Sequence, residues 1–295
     1  VKPAASLKVG VLDSEAMVHP VKRSGWAQAA ANLWKESGYA TEIIPAGTLE
    51  QSSSKIDVLV VKGVEIAQSD LAAVEDFLRK GKSLWLINAN AGFTLMAPDE
   101  KNPGRWVPLD KGPYWLPVEK KEEAGWRLNH HFMERVLGGE LYAHHPASMT
   151  DNGRIAVTDA GRKALGLTKE SISEDSCALM PLNDTRLKQM LPPWVETSVW
   201  LTGGYRDKNW IFQDDNFTGA VAWLEQHRDG EFAGSKVVIT GLSGNGDSLV
   251  SPSNPLFLAV SSRILNELAT PAVKKAFTMP DSSGMPALTR ENFYD

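Results

Sequence analysis

Residues 56–92, IDVLVVKGVEIAQSDLAAVEDFLRKGKSLWLINANAG, narrow the possible folds more than any other stretch of this 295-residue chain. Residues 58–61 and 84–87 are short apolar runs, as expected of strands buried on both faces. Between them Leu71, Val74, Phe77 and Leu78 recur at helical spacing. Ser69 is placed to cap that helix and Gly81 to end it. A helix joining two buried strands makes a parallel pair with a right-handed crossover.

The same alternation precedes and follows this unit. Residues 7–12 (LKVGVL) predict a first strand, and residues 25–37 a helix with Trp26, Ala29, Ala30, Leu33 and Trp34 on one stripe and Gly38 at its end. Residues 39–44 predict a second strand. Near the C-terminus, residues 236–240 predict a strand and residues 255–268 a helix, with Asn254 as N-cap and Pro255 at its first position. The expected fold is α/β, a flavodoxin-like doubly wound parallel sheet with helices on both faces. It fills one domain, 1–269, followed by a tail, 270–295. A long irregular insertion at about 93–154, rich in Pro, Gly and Trp, interrupts it, with one helix near 130–137. After it come a strand at 155–157, a helix at 159–165 behind an Asp cap, and several short β-like runs over 195–223.

Three blocks carry a family resemblance: residues 57–92, residues 219–242 (GAVAWLEQHRDGEFAGSKVVITGL) and residues 254–269 (NPLFLAVSSRILNELA). With the first strand they cover roughly half the chain. On them the chain resembles the class I glutamine amidotransferase-like fold, and within it the trehalose-utilisation (ThuA-like) family. The resemblance implies a nucleophilic Cys in the turn after the fourth strand and a His-x-Glu motif after the last strand. Here the turn is Asn88-Ala89-Asn90-Ala91-Gly92, and the later loop, Gly241-Leu242-Ser243-Gly244-Asn245-Gly246-Asp247, has no His. Asn has no nucleophilic atom of useful strength, so the usual glutaminase triad is missing. Catalytic residues are therefore left unassigned.

In open parallel sheets ligands bind outside the carboxyl ends of the strands. That rule selects Asp13, Glu15 and His19 after strand one, Lys62 and Glu65 after strand three, and Asn88 and Asn90 after strand four. After the last strand it selects Ser243, Asn245 and Asp247. The expected ligand set is Asp13, Glu15, His19, Glu65, Asn88, Asn90, Asn245 and Asp247. Carboxylates and amides suit the vicinal hydroxyls of a sugar. Asp13, Glu15, His19 and Glu65 are also ordinary metal ligands, but no metal is assigned. The competing reading is that Asp13 and Asn88 cap helices or tie turns and that Glu15 and Lys62 are solvated.

Two function classes follow. One is a ThuA-like protein of carbohydrate metabolism that binds a sugar or sugar-derived ligand at this rim, with Trp106, Trp115 or Trp126 as stacking surfaces. The other is a non-catalytic assembly domain and homo-oligomer, similar to the trimerisation domain of family 42 β-galactosidases, with tryptophans as interface anchors. A net charge of -5 argues against nucleic acid. No run of about 18 apolar residues exists to span a membrane. Ser243-Gly244-Asn245-Gly246-Asp247-Ser248 lacks the Gly-Lys-Ser/Thr ending of a phosphate loop, and no cofactor is expected. Cys177, the only cysteine, excludes an internal disulfide; its acidic neighbours favour a buried, unreactive thiol. His130, His131, His144 and His145 read as surface or half-buried residues, and Asp214-Asp215 as a turn. The start, VKPAAS, fits the remnant of a removed signal peptide, a lean towards an exported or periplasmic protein.

Overall fold

The computed structural model describes residues 7–17, 24–63, 65–87, 94–108, 116–117, 126–127, 154–173, 191–205 and 217–276. From the N-terminus the elements are β1 (Lys8–Asp13), α1 (Trp26–Glu36), β2 (Ala40–Pro45), α2 (Leu49–Ser52), β3 (Val58–Lys62), β4 (Glu65–Ala67), α3 (Gln68–Arg79) and β5 (Ser83–Ile87). Short strands follow: β6 (Thr94–Pro98), β7 (Trp106–Pro108), β8 (Leu116–Pro117) and β9 (Trp126–Arg127). The last part holds β10 (Arg154–Val157), α4 (Asp159–Leu165), β11 (Ser171–Ser173), β12 (Val195–Tyr205), β13 (Phe217–His227), β14 (Lys236–Thr240) and α5 (Phe257–Leu268).

The main sheet has nine strands in the order β11-β10-β12-β13-β14-β5-β3-β1-β2. Strands β2, β1, β3, β5 and β14 run parallel, which is the flavodoxin-like order with its switch point between β1 and β3. The expected α/β fold is thus the observed one. Beyond β14 the sheet continues antiparallel through β13, β12, β10 and β11. Residues 195–223, expected as several short runs, belong largely to two strands of 11 residues each. Register shifts around Val199–Leu201 mark an irregularity within β12, which continues past Leu201 through Gly203 and Gly204 to Tyr205.

Period-2 alternation assigns the faces. Val9, Val11, Val58, Val60, Trp85, Ile87 and Val238 point to one side, where α1 and α5 cover them. Leu12, Leu59, Val61, Leu84, Leu86, Val237 and Ile239 point to the other, against Val74, Phe77 and Leu78 of α3. Trp34 lies between α1, α5 and the sheet, with ring centroids 6.0 Å from Trp26, 5.7 Å from Phe257 and 6.1 Å from Trp85. Its indole N–H donates to Ser261 Oγ at 2.8 Å, and that of Trp26 donates to the Val250 carbonyl at 2.9 Å. Trp26, Trp34, Trp85, Trp200 and Trp223 are all buried, so these rings are core and not stacking platforms.

Helix starts differ from expectation. The N-cap of α3 is Ala67, not Ser69, with no side-chain cap bond, and Asp70 in its first turn serves another element: its carboxylate accepts from the Gly47 and Leu49 N–H groups at 2.6 and 2.9 Å. The cap of α4 is Thr158 rather than Asp159, and Thr158 Oγ1 accepts from the Gly161 N–H at 2.9 Å. Helix α5 begins at Phe257, and Asn254 instead closes the preceding turn by accepting from the Leu256 N–H at 2.8 Å. The expected ends hold: Gly38 and Gly81 follow α1 and α3 with φ of 94° and 73°.

Helix α4 packs so close to β12 that a Cβ on Gly161 would stand 2.0 Å from the Trp200 carbonyl oxygen and 2.8 Å from its carbon. Backbone on both sides leaves no side chain to yield. Gly161→Ala is therefore expected to destabilise the chain by about 1–3 kcal/mol, read as a lower urea midpoint; an unchanged midpoint would contradict this packing.

Candidate functional site

The carboxyl ends of β1, β3 and β14 meet at the switch point. Lys62, the last residue of β3, extends its ammonium into the gap between the flanking loops. Its Nζ donates to Glu15 Oε1 at 3.3 Å, to Ser24 Oγ at 3.3 Å and to Asn245 Oδ1 at 3.0 Å. These partners come from the short 3-10 turn after β1 (Ser14–Met17), the lead-in to α1, and the loop after β14. An ammonium has three N–H donors, so this set saturates it. Ser14 Oγ also donates to the Lys62 carbonyl, holding the β1 turn to the end of β3.

Glu15 is equally tied. Ser24 Oγ donates to Oε1 beside Lys62, and the Gly25 N–H donates to Oε2 at 2.8 Å. The side chains of Lys62 and Glu15 are only 11% and 15% exposed. Neither is a freely solvated surface charge: packing of the strand-end loops covers most of each side chain. Gly244, with φ of 69°, passes so near that a Cβ there would stand 2.9 Å from Lys62 Cε, which a left-handed glycine alone permits without strain.

Burial alone would raise the Glu15 carboxyl. The Ser24 hydroxyl, the Lys62 ammonium and the Gly25 N–H together outweigh it and hold the group below its ordinary 4.5. Burial likewise depresses the Lys62 ammonium below 10.5, and the charges of Glu15 and then Glu65 oppose that shift without cancelling it.

Of the expected ligand set, the structure brings Glu15, Glu65 and Asn245 together around Lys62. Glu65 opens β4, and a Cβ on Gly63, two residues before it, would lie 3.5 Å from its Oε2. Asp13 ends β1 half-buried. Asp247 is exposed in the loop after β14, where its carbonyl accepts from Asn254 Nδ2 at 2.6 Å. His19, Asn88 and Asn90 lie outside the described residues, as do Cys177, the histidines at 130, 131, 144 and 145, Asp214 and Asp215, and Trp115. Trp106 is half-buried over Gly47 and beside the small cluster of Met17, Ala67 and Met96. Among the described residues no group of three His, Cys, Asp or Glu side chains is placed to hold a metal, and no helix is long and apolar enough to cross a membrane.

Ser24 was not in the expected set, and Lys62 was named at the strand end but left out of it. A serine directly before an amphipathic helix was the available signal for Ser24. A second titratable pair, Glu225 and His227, is also buried, with Nε2 and Oε2 3.6 Å apart and Trp223 Nε1 donating to Glu225 Oε1 at 2.7 Å. It lies at the other end of the sheet, since Gln226 pairs with Lys236 at the start of β14.

No family model matches this chain, and no curated protein is similar to it. Solved structures share its fold. A cytoplasmic protein from Salmonella typhimurium LT2 aligns with a TM-score of 0.50 at 10% identity, over 88% of this chain and 98% of its own. A ThuA-like protein from Bacteroides uniformis aligns at 0.47 and 14%, over 88% of this chain and 91% of that one. A β-galactosidase from Bacillus circulans aligns at 0.46 and 14%, over 96% of this chain but 34% of the enzyme. At such identities the likeness concerns the fold alone.

The sign of the Glu15 effect is testable. A carboxyl held below 4.5 in the folded chain stabilises it above the unfolded value, and that stabilisation is lost as pH falls through the folded value. The stability difference between wild type and Glu15→Gln is expected to be constant near neutrality and to shrink below about pH 4.5, measured by urea unfolding at stepped pH. A difference that grows in acid would reverse the assignment.

Proposed function

We propose that the rim at the β1/β3 switch point binds a small, neutral, polyhydroxylated ligand, a sugar or sugar derivative, and that the chain is an amidotransferase-like protein without glutaminase chemistry. The observation that carries this reading is the saturation of Lys62 by Glu15, Ser24 and Asn245. With its three donors engaged, the cation at the rim has no N–H left for a phosphate or carboxylate. The carboxylates of Asp13 at the end of β1, Glu65 at the start of β4 and Asp247 in the loop after β14 add negative charge that disfavours anions. Carboxylate oxygens and the Asn245 amide N–H groups match the donors and acceptors of vicinal hydroxyls. The switch point is also where this sheet order places ligands.

The test is a calorimetric panel of neutral mono- and disaccharides beside their phosphate esters, on wild type and Glu65→Ala. At least one neutral sugar is expected to bind, the phosphates to bind more weakly, and Glu65→Ala to lower affinity by about tenfold, the loss of one charge-assisted hydrogen bond. Silence towards every sugar, together with a stable homo-oligomer in light scattering, would favour the assembly-domain alternative.

A further inference from the structure

Ser24 is exposed at the rim, and its neighbours are those of a reactive hydroxyl. Its Oγ donates to Glu15 Oε1 and accepts from Lys62 Nζ at 3.3 Å. A serine hydroxyl alone is a weak nucleophile, and a base on its proton or a positive charge beside its oxygen activates it. Glu15 provides the first and Lys62 the second. The Gly25 N–H on Oε2 fixes the carboxylate so that Oε1 faces the hydroxyl. Asn245 and Glu15 hold the ammonium at its post.

The backbone supplies a further element. Helix α1 begins two residues after Ser24, with Gly25 as N-cap and no side-chain cap bond. First-turn N–H groups of a helix point outward at its N-terminus and favour negative charge there. An oxyanion formed on a carbonyl bonded to Ser24 Oγ would develop at that end.

We propose that Ser24 is a nucleophilic serine that accepts the acyl group from an ester of a small polyhydroxylated molecule, with Glu15 as proton acceptor and Lys62 as a fixed positive charge. Oγ bonds to the ester carbonyl carbon while its proton passes to Glu15. The bond from that carbon to the alcohol oxygen breaks, and the departing alcohol takes the proton from Glu15. Water then attacks the acyl-Ser24 carbonyl and gives a proton to Glu15. The bond to Oγ breaks as Oγ recovers that proton. Ester and water become acid and alcohol, with no change of oxidation state. Asp13, Glu65 and Asp247 disfavour a phosphate ester for the reason given above. The nature of the alcohol rests on the rim-binding reading, but the reactivity of Ser24 does not.

The experiment is labelling of the intact chain with a fluorophosphonate probe, followed by whole-mass measurement and peptide mapping. One adduct at Ser24 is expected, absent in Ser24→Ala. Glu15→Gln is expected to slow it by about 10²-fold, the usual contribution of a positioned base, and Lys62→Met to slow it as well. A wild-type rate that falls in acid as Glu15 takes up a proton tests the base without any variant. An unlabelled Ser24, or one that reacts no faster in the folded chain than in urea, overturns the proposal. So does a rate independent of Glu15 and of acid. The probe carries no sugar, so its failure leaves sugar binding standing, and a silent sugar panel beside a labelled Ser24 would refute only the binding reading.

Discussion

Burial of the central strands on both faces is the constraint on which the rest of the molecule depends. Each residue of β5 is buried, and Val58 to Val61 of β3 are buried in the same way. A strand in that position admits polarity mainly at its ends, and β3 does so at its carboxyl end. Lys62 is the first residue of β3 to reach that end, and its side chain is only 11% exposed there. Its charge must therefore be met by the protein, which explains why three separate segments converge on one ammonium. The rim is less a surface feature than a consequence of how completely the sheet is covered.

The converging segments are themselves shaped by the requirement. Ser14 Oγ holds the turn after β1 to the Lys62 carbonyl, and the loop after β14 turns through left-handed Gly244 to pass the lysine stem. Helix α1 lies with Trp26 and Trp34 in the core, which fixes its N-terminus and with it Ser24 and the Gly25 N–H. Packing on one face of the sheet thus positions the polar atoms at its end. An error in the aromatic cluster would be felt at Glu15, through Gly25, without touching it.

Much of this was legible in the chain because it rests on short-range patterns. The apolar runs at 58–61 and 84–87, the Trp26 to Trp34 stripe and the glycines at 38 and 81 each follow from local geometry, and the strand-end rule then put Glu15, Lys62, Glu65 and Asn245 on one rim. Capping was misread where several suitable residues stood together. Ser69 looked like a cap, but the helix begins one residue earlier at Gln68, and Asp70 in the same turn bonds to Gly47 and Leu49, far away in sequence. Ser24 was missed because its bonds to Glu15 and Lys62 form only when α1 docks. The burial of Glu15 was equally invisible, since it is a property of loop packing and not of composition. The full length of β12 was hidden by Gly203 and Gly204, which carry no strand signal of their own and lie inside it.

The ion pair at the rim is a poor candidate for a device of stability alone. Replacing both members of a buried pair with apolar groups of similar size is often neutral or stabilising, whereas removing one member strands the other. A methionine and a leucine could fill the space of Lys62 and Glu15 and still let β3 end where it does. What they could not do is fix an exposed hydroxyl between a carboxylate and an ammonium at a helix N-terminus. The other buried acid–base pair, Glu225 with His227, shows the contrast: it sits at the opposite end of the sheet, with the Trp223 indole N–H donating to the carboxylate and a phenylalanine edge against the imidazole at 5.9 Å. There the polar atoms are enclosed by core. At the switch point they border an exposed serine and an exposed asparagine, and this access to solvent is what separates a site from a buried pair.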